Sequence, residues 1–233
     1  MPSNIFVIIT AYNEAPRIGA TLAALAAAFP GAPVWVADDG STDATALLAR
    51  EAGARVVRSE RVIGKGAAAT RAAREALVAA AQAVKDGDDA QAIFILCDGD
   101  LGESAGKLGP LAGVTRGGEA DVAVAKFATR VGGGVGLAVG FARWAIRRRC
   151  GLQAQAPISG QRALHIRALE DVLPFAHGFG MEMGMTIDAV RAGHRVAEIE
   201  LDLTHRVTGR TLMGFLHRGR QLIDFVRVYL SRR

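Results

Sequence analysis

Asp98 and Asp100 stand on either side of Gly99, where the apolar run Ala92-Ile93-Phe94-Ile95-Leu96 ends. Two carboxylates two residues apart across a small residue either open a turn or grip one divalent cation, with room left for a diphosphate. Mg²⁺ and Mn²⁺ prefer such oxygen ligands and keep waters or substrate phosphates in their other positions. Two more polar stretches follow apolar runs. In "TAYNEA" Tyr12 could stack on a base while Asn13 and Glu14 hydrogen-bond to it; the plain alternative is a polar loop with Asn13 capping a helix. In "DDGSTDAT" (38–45) Asp38 and Asp39 suit a ribose or a base N–H. An aspartate turn and a helix cap account for Ser41 to Asp43, but not for two adjacent carboxylates, whose repulsion needs compensation. "GKGAAAT" (64–70) formally matches the G-x-G-x-x-A dinucleotide fingerprint. That motif belongs after the first strand of a βαβ unit, and here it follows the third. A lysine between glycines at a helix start still suits a phosphate, because backbone N–H groups, helix dipole and ammonium act together.

These residues need elements to position them. "IFVIIT" (5–10), "PVWVADD" (33–39), "ARVVRS" (54–59) and "AIFILCD" (92–98) read as strands, with helical patterns at 17–29, 43–52 and 65–84 between them. Ser41 or Thr42 is the expected N-cap of the second helix. Continuous apolar strands alternating with helices predict an α/β fold with a mainly parallel sheet covered on both faces. In such sheets ligands bind beyond the carboxyl ends of the strands, so the three motifs that end strands converge on one cleft. After Asp100 the rhythm changes. A strand is expected at 120–127, a glycine-rich stretch at 131–142 too flexible for a stable helix, a short helix at 181–192, an alternating strand at 195–203 and an amphipathic helix at 211–230. The reading is one domain over 1–233: a nucleotide-binding half (1–100) and an irregular half (101–233) that completes the site.

The chain has 233 residues, half of them hydrophobic, and a net charge of +5. Arg143 and Arg147–Arg149 form one basic cluster, and the tail from Arg206 to Arg233 carries seven arginines against the single acid Asp224. Such clusters favour anionic partners: phosphates, an acidic membrane surface or nucleic acid. Two cysteines, Cys97 and Cys150, make no disulfide framework, which fits a reducing compartment. The uncharged stretch from Ile18 to Ala37 is broken by Pro30, Gly31 and Pro33 into helix, turn and strand. Met181, Met183 and Met185 read as packing residues, and His177 as a loop residue.

The ordered set "AYNE", "DDGSTDAT", "GKGAA" and "DGD" resembles the nucleotide-sugar half of family 2-like glycosyltransferases of the GT-A fold. The resemblance implies a Rossmann-like donor half and transfer of a sugar from a nucleoside-diphosphate sugar, UDP-linked and UDP-glucose first among the candidates. It also implies that Ala11, Tyr12, Glu14 and Asp39 contact base and ribose, Lys65 the nucleotide, and Asp98 and Asp100 the ribose, diphosphate and metal. The second half, "SGQRALHIRALEDVLPFAHGFGMEMGMTIDAVRAG" and "LDLTHRVTGR", resembles glucosyl-3-phosphoglycerate synthases and polyprenyl-phosphate sugar transferases. In the synthases a glutamate in a Y-G-x-E-I-G pattern faces the acceptor and a histidine in an A-H-R pattern completes the metal site. The matches here are "FGMEMG", hence Glu182, and "THR", hence His205.

The resemblance therefore implies Glu182 and Asp100 as catalytic, Asp100 and His205 as ligands of Mg²⁺ or Mn²⁺, and Lys126, Arg130 and Arg162 as cations for an acceptor phosphate. That acceptor is a phosphorylated small molecule or a polyprenyl phosphate. A cytoplasmic enzyme is expected, with room for peripheral contact at the inner face of a membrane and for a homodimer; nucleic acid is not an expected partner. The rival readings are a sugar nucleotidyltransferase and a non-catalytic nucleotide-sugar-binding module. The first needs a glycine-rich, arginine-bearing loop after strand one, which "AYNEAPRIG" is not. The second needs no metal set.

Overall fold

Four apolar runs of the first half become parallel strands: β1 (Ile5–Ala11), β2 (Val34–Asp38), β3 (Arg55–Arg58) and β4 (Ile93–Asp98). The computed structural model describes residues 4–83, 92–128, 137–203 and 212–232, the last segment with side chains from Leu222 onward. Among these residues the second half adds β5 (Val122–Phe127), β6 (Arg162–His165) and β7 (Val196–Leu201) to the same sheet, in the order β3-β2-β1-β4-β6-β5-β7. β6 runs antiparallel to both its neighbours, and β5 and β7 are parallel to each other. The expected α/β fold with a mainly parallel sheet is what forms.

The helices are α1 (Ala15–Ala28), α2 (Thr45–Glu51), α3 (Lys65–Ala83), α4 (Gly109–Arg116), α5 (Leu137–Cys150), α6 (Ile166–Asp171), α7 (Met181–Arg191) and α8 (Leu212–Ser231), with 3₁₀ turns at Gly102–Leu108 and Gly178–Gly180. Side chains along a strand alternate between faces, and β1 divides the core accordingly. Val7 and Ile9 join Ile18, Leu22 and Leu25 of α1 on one face. Phe6 and Ile8 join α3 on the other. The face of α3 toward the sheet is a stripe of alanines, Ala68, Ala69, Ala72, Ala73, Ala76 and Ala80, all buried. The bulk on that side comes from the sheet: Phe6, Trp35 and Phe94, with Phe6 and Phe94 rings stacked at 5.2 Å. Small residues on the helix and large ones on the sheet fill the space between them at close approach. A third apolar cluster joins α5, α7 and α8 through Ala142, Ile146, Met183, Ile187, Phe225 and Val228.

Several local expectations need correction. α2 begins at Thr45 and has no side-chain cap; Ser41 and Thr42 instead bind the loop after β1. α5 starts inside the glycine-rich stretch and includes Gly140, because burial of Ala142, Ala145 and Ile146 against α7 and α8 outweighs the local cost of glycine. β6, α4 and α6 are short elements without a sequence pattern of their own. The methionines of α7 are buried packing residues, as expected. No helix among the described residues is long and apolar enough to cross a membrane.

The first turn of α3 lies against the chain at Ala176 so closely that a Cβ on Gly66 would overlap the Ala176 carbonyl oxygen. Gly66→Ala should therefore destabilise the fold by about 1–3 kcal/mol through overpacking, despite alanine's better helix propensity. A lowered urea midpoint with unchanged slope is the expected reading.

Candidate functional site

The carboxyl ends of β1, β2 and β4 lie side by side, since Ala11 pairs with Asp38 and Thr10 with Asp98. The motifs that follow them therefore share one edge. At its centre the Lys65 ammonium, carried by the first residue of α3, lies 2.6 Å from Asp98 Oδ1 and 2.6 Å from Glu182 Oε1. Asp98 also accepts from Thr10 Oγ1 at 2.9 Å and, through Oδ2, from Gln161 Nε2 at 2.8 Å. Gly160 closes the group: a Cβ there would stand 2.7 Å from Asp98 Oδ2 and 3.0 Å from Lys65 Nζ. Only a residue without a side chain admits this approach.

Glu182 opens α7 and is 5% exposed. Behind it sits Arg162, fully buried at the start of β6. Its guanidinium donates to Ser159 O at 2.9 Å, Thr186 Oγ1 at 3.0 Å and Glu182 O at 3.0 Å. Burial pushes its pKa down to about 10, against the pull of Glu182 and Glu198, so it stays cationic at neutral pH. Its fork is thus committed to α7 and the 159 turn; the geometry makes it a strut for Glu182 rather than a donor open to an acceptor.

Asp100 follows a turn that is fixed on both sides. Gly99 N donates to Thr10 O at 2.9 Å, and the Thr21 hydroxyl donates to Gly99 O and accepts from Gly102 N, both at 2.8 Å. A Cβ on Gly99 would meet Ala11 Cβ and Thr10 O at 3.3 Å, which gives a physical reason for the small residue between the carboxylates. Asp100 itself is partly exposed.

Toward β2 and β3 the loops are stitched together. Asn13 adopts a left-handed backbone (φ 55°). Its side-chain oxygen accepts from Thr42 N at 2.8 Å, and its N–H donates to Ser41 Oγ at 2.9 Å. Glu14 N donates to Thr45 Oγ1 at 2.8 Å and Ala15 N to Asp43 Oδ2 at 3.1 Å. Asn13 is thus an anchor between loops and not a helix cap. The repulsion between Asp38 and Asp39 is resolved by separate partners. Asp38 accepts from Ser41 N at 2.9 Å and has Arg58 Nε 3.2 Å away. Asp39 accepts from Ile63 N at 2.7 Å and Gly64 N at 3.0 Å. Burial raises the Asp39 pKa, with Asp38 adding to it, while the two backbone donors act the other way. The same hydrogen bonds fix the turn that launches Lys65. Ala11 is buried beneath the cleft, and Tyr12 stands 49% exposed at its mouth.

The expected acceptor cations are not gathered. Lys126, near the end of β5, pairs with Glu200 at 2.7 Å, and Arg130 lies outside the described residues, as does His205. Among the described residues no three His, Cys, Asp or Glu side chains form a metal-binding group. The oxygen donors at Asp98 and Asp100 nevertheless fit Mg²⁺ or Mn²⁺, which commonly take one or two carboxylates and complete the shell with substrate phosphates and water. Thr10, Gly160 and Gln161 belong to the centre and were missed in the sequence. The "SGQR" stretch was on view, but nothing local marked it as a strand start facing β4. His177 sits in the loop ahead of the Gly178–Gly180 turn, as expected, and its ring lies against Gly64, where an added Cβ would be 3.0 Å from Cε1.

Burial would raise the Asp98 pKa, but the Lys65 ammonium and the bonds from Thr10 and Gln161 reverse this and hold it below the usual carboxylate range. Burial would likewise lower Lys65, and Asp98 and Glu182 carry it above its usual value. A depressed carboxylate contributes stability above its unfolded pKa and loses it as pH falls through the folded one. A raised lysine contributes below its unfolded pKa and loses it as pH rises through the folded one. Asp98→Asn should therefore lower stability at pH 7 by about 1–3 kcal/mol, and the deficit should shrink below about pH 4. Urea denaturation of both proteins across pH 3–8 checks this; a deficit independent of pH would contradict the charge argument.

The family model for glycosyl transferase family 2 matches residues 6–148. Among curated proteins none matches the chain by sequence. Among solved structures, the chain is similar to Mycobacterium tuberculosis glucosyl-3-phosphoglycerate synthase in complex with Mn²⁺, UDP-glucose and glycerol 3-phosphate. The identity is 27% and the TM-score 0.71, covering 99% of this chain and 80% of that one. The same synthase without named ligands gives 27% and 0.73 over the same shares. Its complex with Mg²⁺ and UDP gives 26% and 0.72, over 99% of this chain and 79% of that one. With a family match over more than half its length and a GT-A-like sheet carrying the D-x-D turn at its centre, the chain belongs to glycosyl transferase family 2 and is a glycosyltransferase.

Proposed function

We propose that the protein transfers a hexose, glucose first among the candidates, from a UDP-linked donor to a phosphorylated acceptor with the help of Mg²⁺ or Mn²⁺. The observation that carries this reading is the Lys65 ammonium held between Asp98 and Glu182. One cation ties the donor-side carboxylate at the end of β4 to the carboxylate at the start of α7. The named ligands of the similar synthase structures support the donor, metal and acceptor classes.

The chemistry follows from where charge develops. The bond between the anomeric carbon and the diphosphate oxygen breaks, a bond to an acceptor oxygen forms, and negative charge collects on the departing nucleoside diphosphate. When bound, the divalent cation offsets that charge as a Lewis acid. Asp100, with His205 as the second candidate, holds it on the protein side. Lys65 holds Asp98 and Glu182 in place before the reaction, so the carboxylates of the site need no reorganisation as charge develops. Tyr12, Glu14 and Asp39 shape the base and ribose pocket. Glu182, buried and braced by Arg162, orients the acceptor hydroxyl or the transferred sugar. Lys126 and Arg130 receive the acceptor phosphate, Lys126 exchanging Glu200 for it.

A polyprenyl phosphate is the second reading for the acceptor, favoured by Leu137 and Trp144, which stand 71% and 50% exposed on α5 beside its arginines. The two acceptors make different demands on Glu182. A hydroxyl nucleophile gains about 10²–10⁴-fold from a general base, whereas a phosphate monoester is already largely ionised near pH 7. With UDP-glucose, Mn²⁺ and either glycerol 3-phosphate or phosphoglyceric acid, UDP release is expected from the wild type. It should be lost in Asp100→Ala and in excess chelator, and reduced about 10²-fold or more in Glu182→Gln. A Glu182→Gln enzyme only mildly impaired, with turnover on a short polyprenyl phosphate, would shift the reading to the lipid acceptor. Full activity in chelator would overturn the metal.

A further inference from the structure

At the opposite edge of the sheet from Asp98 lies a cavity of about 360 Å³. Its floor is Ile93, the first residue of β4, and its walls include Thr115, Arg116, Asp121, His165, Arg167 and His194. β4 separates the two places: five residue steps at ~3.3 Å put Ile93 roughly 17 Å from Asp98. The lining is rich in cations and in groups that donate hydrogen bonds. Its one acid, Asp121, is already engaged: it accepts from Arg195 N at 2.8 Å and pairs with the Arg195 guanidinium at 3.3 Å. His194 is held by Asp171 at 2.8 Å, which orients its ring from outside the cavity wall. His165 Nδ1 accepts from Arg167 N at 3.4 Å, which orients its ring. Arg116 and Arg167 both stand exposed at this cavity.

We propose that this cavity is a second ligand site, separate from the transferase centre, for a small phosphomonoester. A guanidinium fork matches phosphate oxygens in bidentate fashion, and Arg116 and Arg167 supply two. The imidazole rings of His165 and His194 complete a polar wall beside the two arginines, while the Asp121 carboxylate, paired with Arg195, does not repel an anion. A volume of about 360 Å³ exceeds what a bare phosphate needs and falls within the usual range for small-molecule pockets. A phosphate with a short polar carbon body fits this better than the inorganic ion. Two strands run from this cavity to the transferase centre: β4 from Ile93 to Asp98, and β6 from His165 to Arg162, the brace of Glu182.

The test reads the cavity itself, so it stands or falls independently of the donor and acceptor assignments. The Cε1–H resonances of the five histidines are assigned by His→Gln variants and followed at fixed pH during titration with glycerol 3-phosphate, inorganic phosphate or glycerol. Saturable shifts of the His165 and His194 signals are expected with glycerol 3-phosphate, weaker ones with inorganic phosphate and none with glycerol. In the Arg116→Ala/Arg167→Ala double variant, whose side chains are on the surface, the dissociation constant should rise about tenfold or more. Equal response to inorganic phosphate and glycerol 3-phosphate would reduce the site to a bare-anion subsite and overturn the phosphomonoester. Absence of saturable His165 and His194 shifts, or shifts unchanged in the double variant, would overturn the site. Phosphate held only at the transferase centre would instead move His177, whose ring lies against Gly64 beside Lys65.

Discussion

One ammonium group sets the architecture of the candidate active centre. Lys65 stands at 2.6 Å from two carboxylates that are 84 residues apart in the chain, Asp98 and Glu182. Without the cation, these partly and fully buried anions would face each other across an uncompensated gap, a costly arrangement away from water. Every nearby element serves that contact. β1 contributes the Thr10 hydroxyl, the turn before β6 contributes Gln161, and the glycines at 99 and 160 leave room for the chain to come this close. The α3 start is fixed by the Asp39 hydrogen bonds to Ile63 and Gly64, so Asp39 and the central lysine are mechanically one unit.

The same closeness explains the distribution of side-chain volume. α3 can bring Lys65 to the strand ends only because its sheet-facing residues are alanines, and the aromatic rings of Phe6, Trp35 and Phe94 occupy the volume this leaves. On the far side α8 holds the 3₁₀ turn ahead of Glu182: Asp224 accepts from Phe179 N at 3.1 Å, and a Cβ on Gly178 would collide with that carboxylate. Arg232 clamps Asp188 of α7 through paired contacts of 2.7 and 2.5 Å. Glu182 is therefore positioned from three directions, by Lys65 in front, Arg162 behind and α8 alongside.

Much of this was legible in the sequence where the signal is local. The four apolar strands, the helix starting at Lys65, the D-x-D pair at the end of β4 and the helix carrying Glu182 all follow from periodicity and breakers. What was not legible depends on partners far away in the chain. "RALH" is four residues long and opens with three helix formers, so nothing local marks it as β6; pairing with β4 and β5 decides it. Charge in a sequence does not say where a side chain ends up. An arginine in sequence suggests a surface donor, yet Arg162 is enclosed because three acceptors meet its fork. Ser41 and Thr42 suggested a helix cap, but the neighbouring β1 loop offered them better-placed partners.

β6 has one further consequence, for how the chain can vary. It runs against its neighbours, so its first residue rather than its last lies at the edge where the other strands end, opposite Leu96 of β4. Side chains alternate along it: Leu164 joins the layer of α3 and α7, and Ala163 joins the layer of α1. A single inserted or deleted residue here would reverse every face. The guanidinium of Arg162 would swing into the aliphatic layer under α1, and the backbone of Glu182 would lose its buried donor. Substitutions that keep size and polarity can accumulate along this strand, but its length is fixed, and a change of one residue would be felt first where Arg162 braces Glu182.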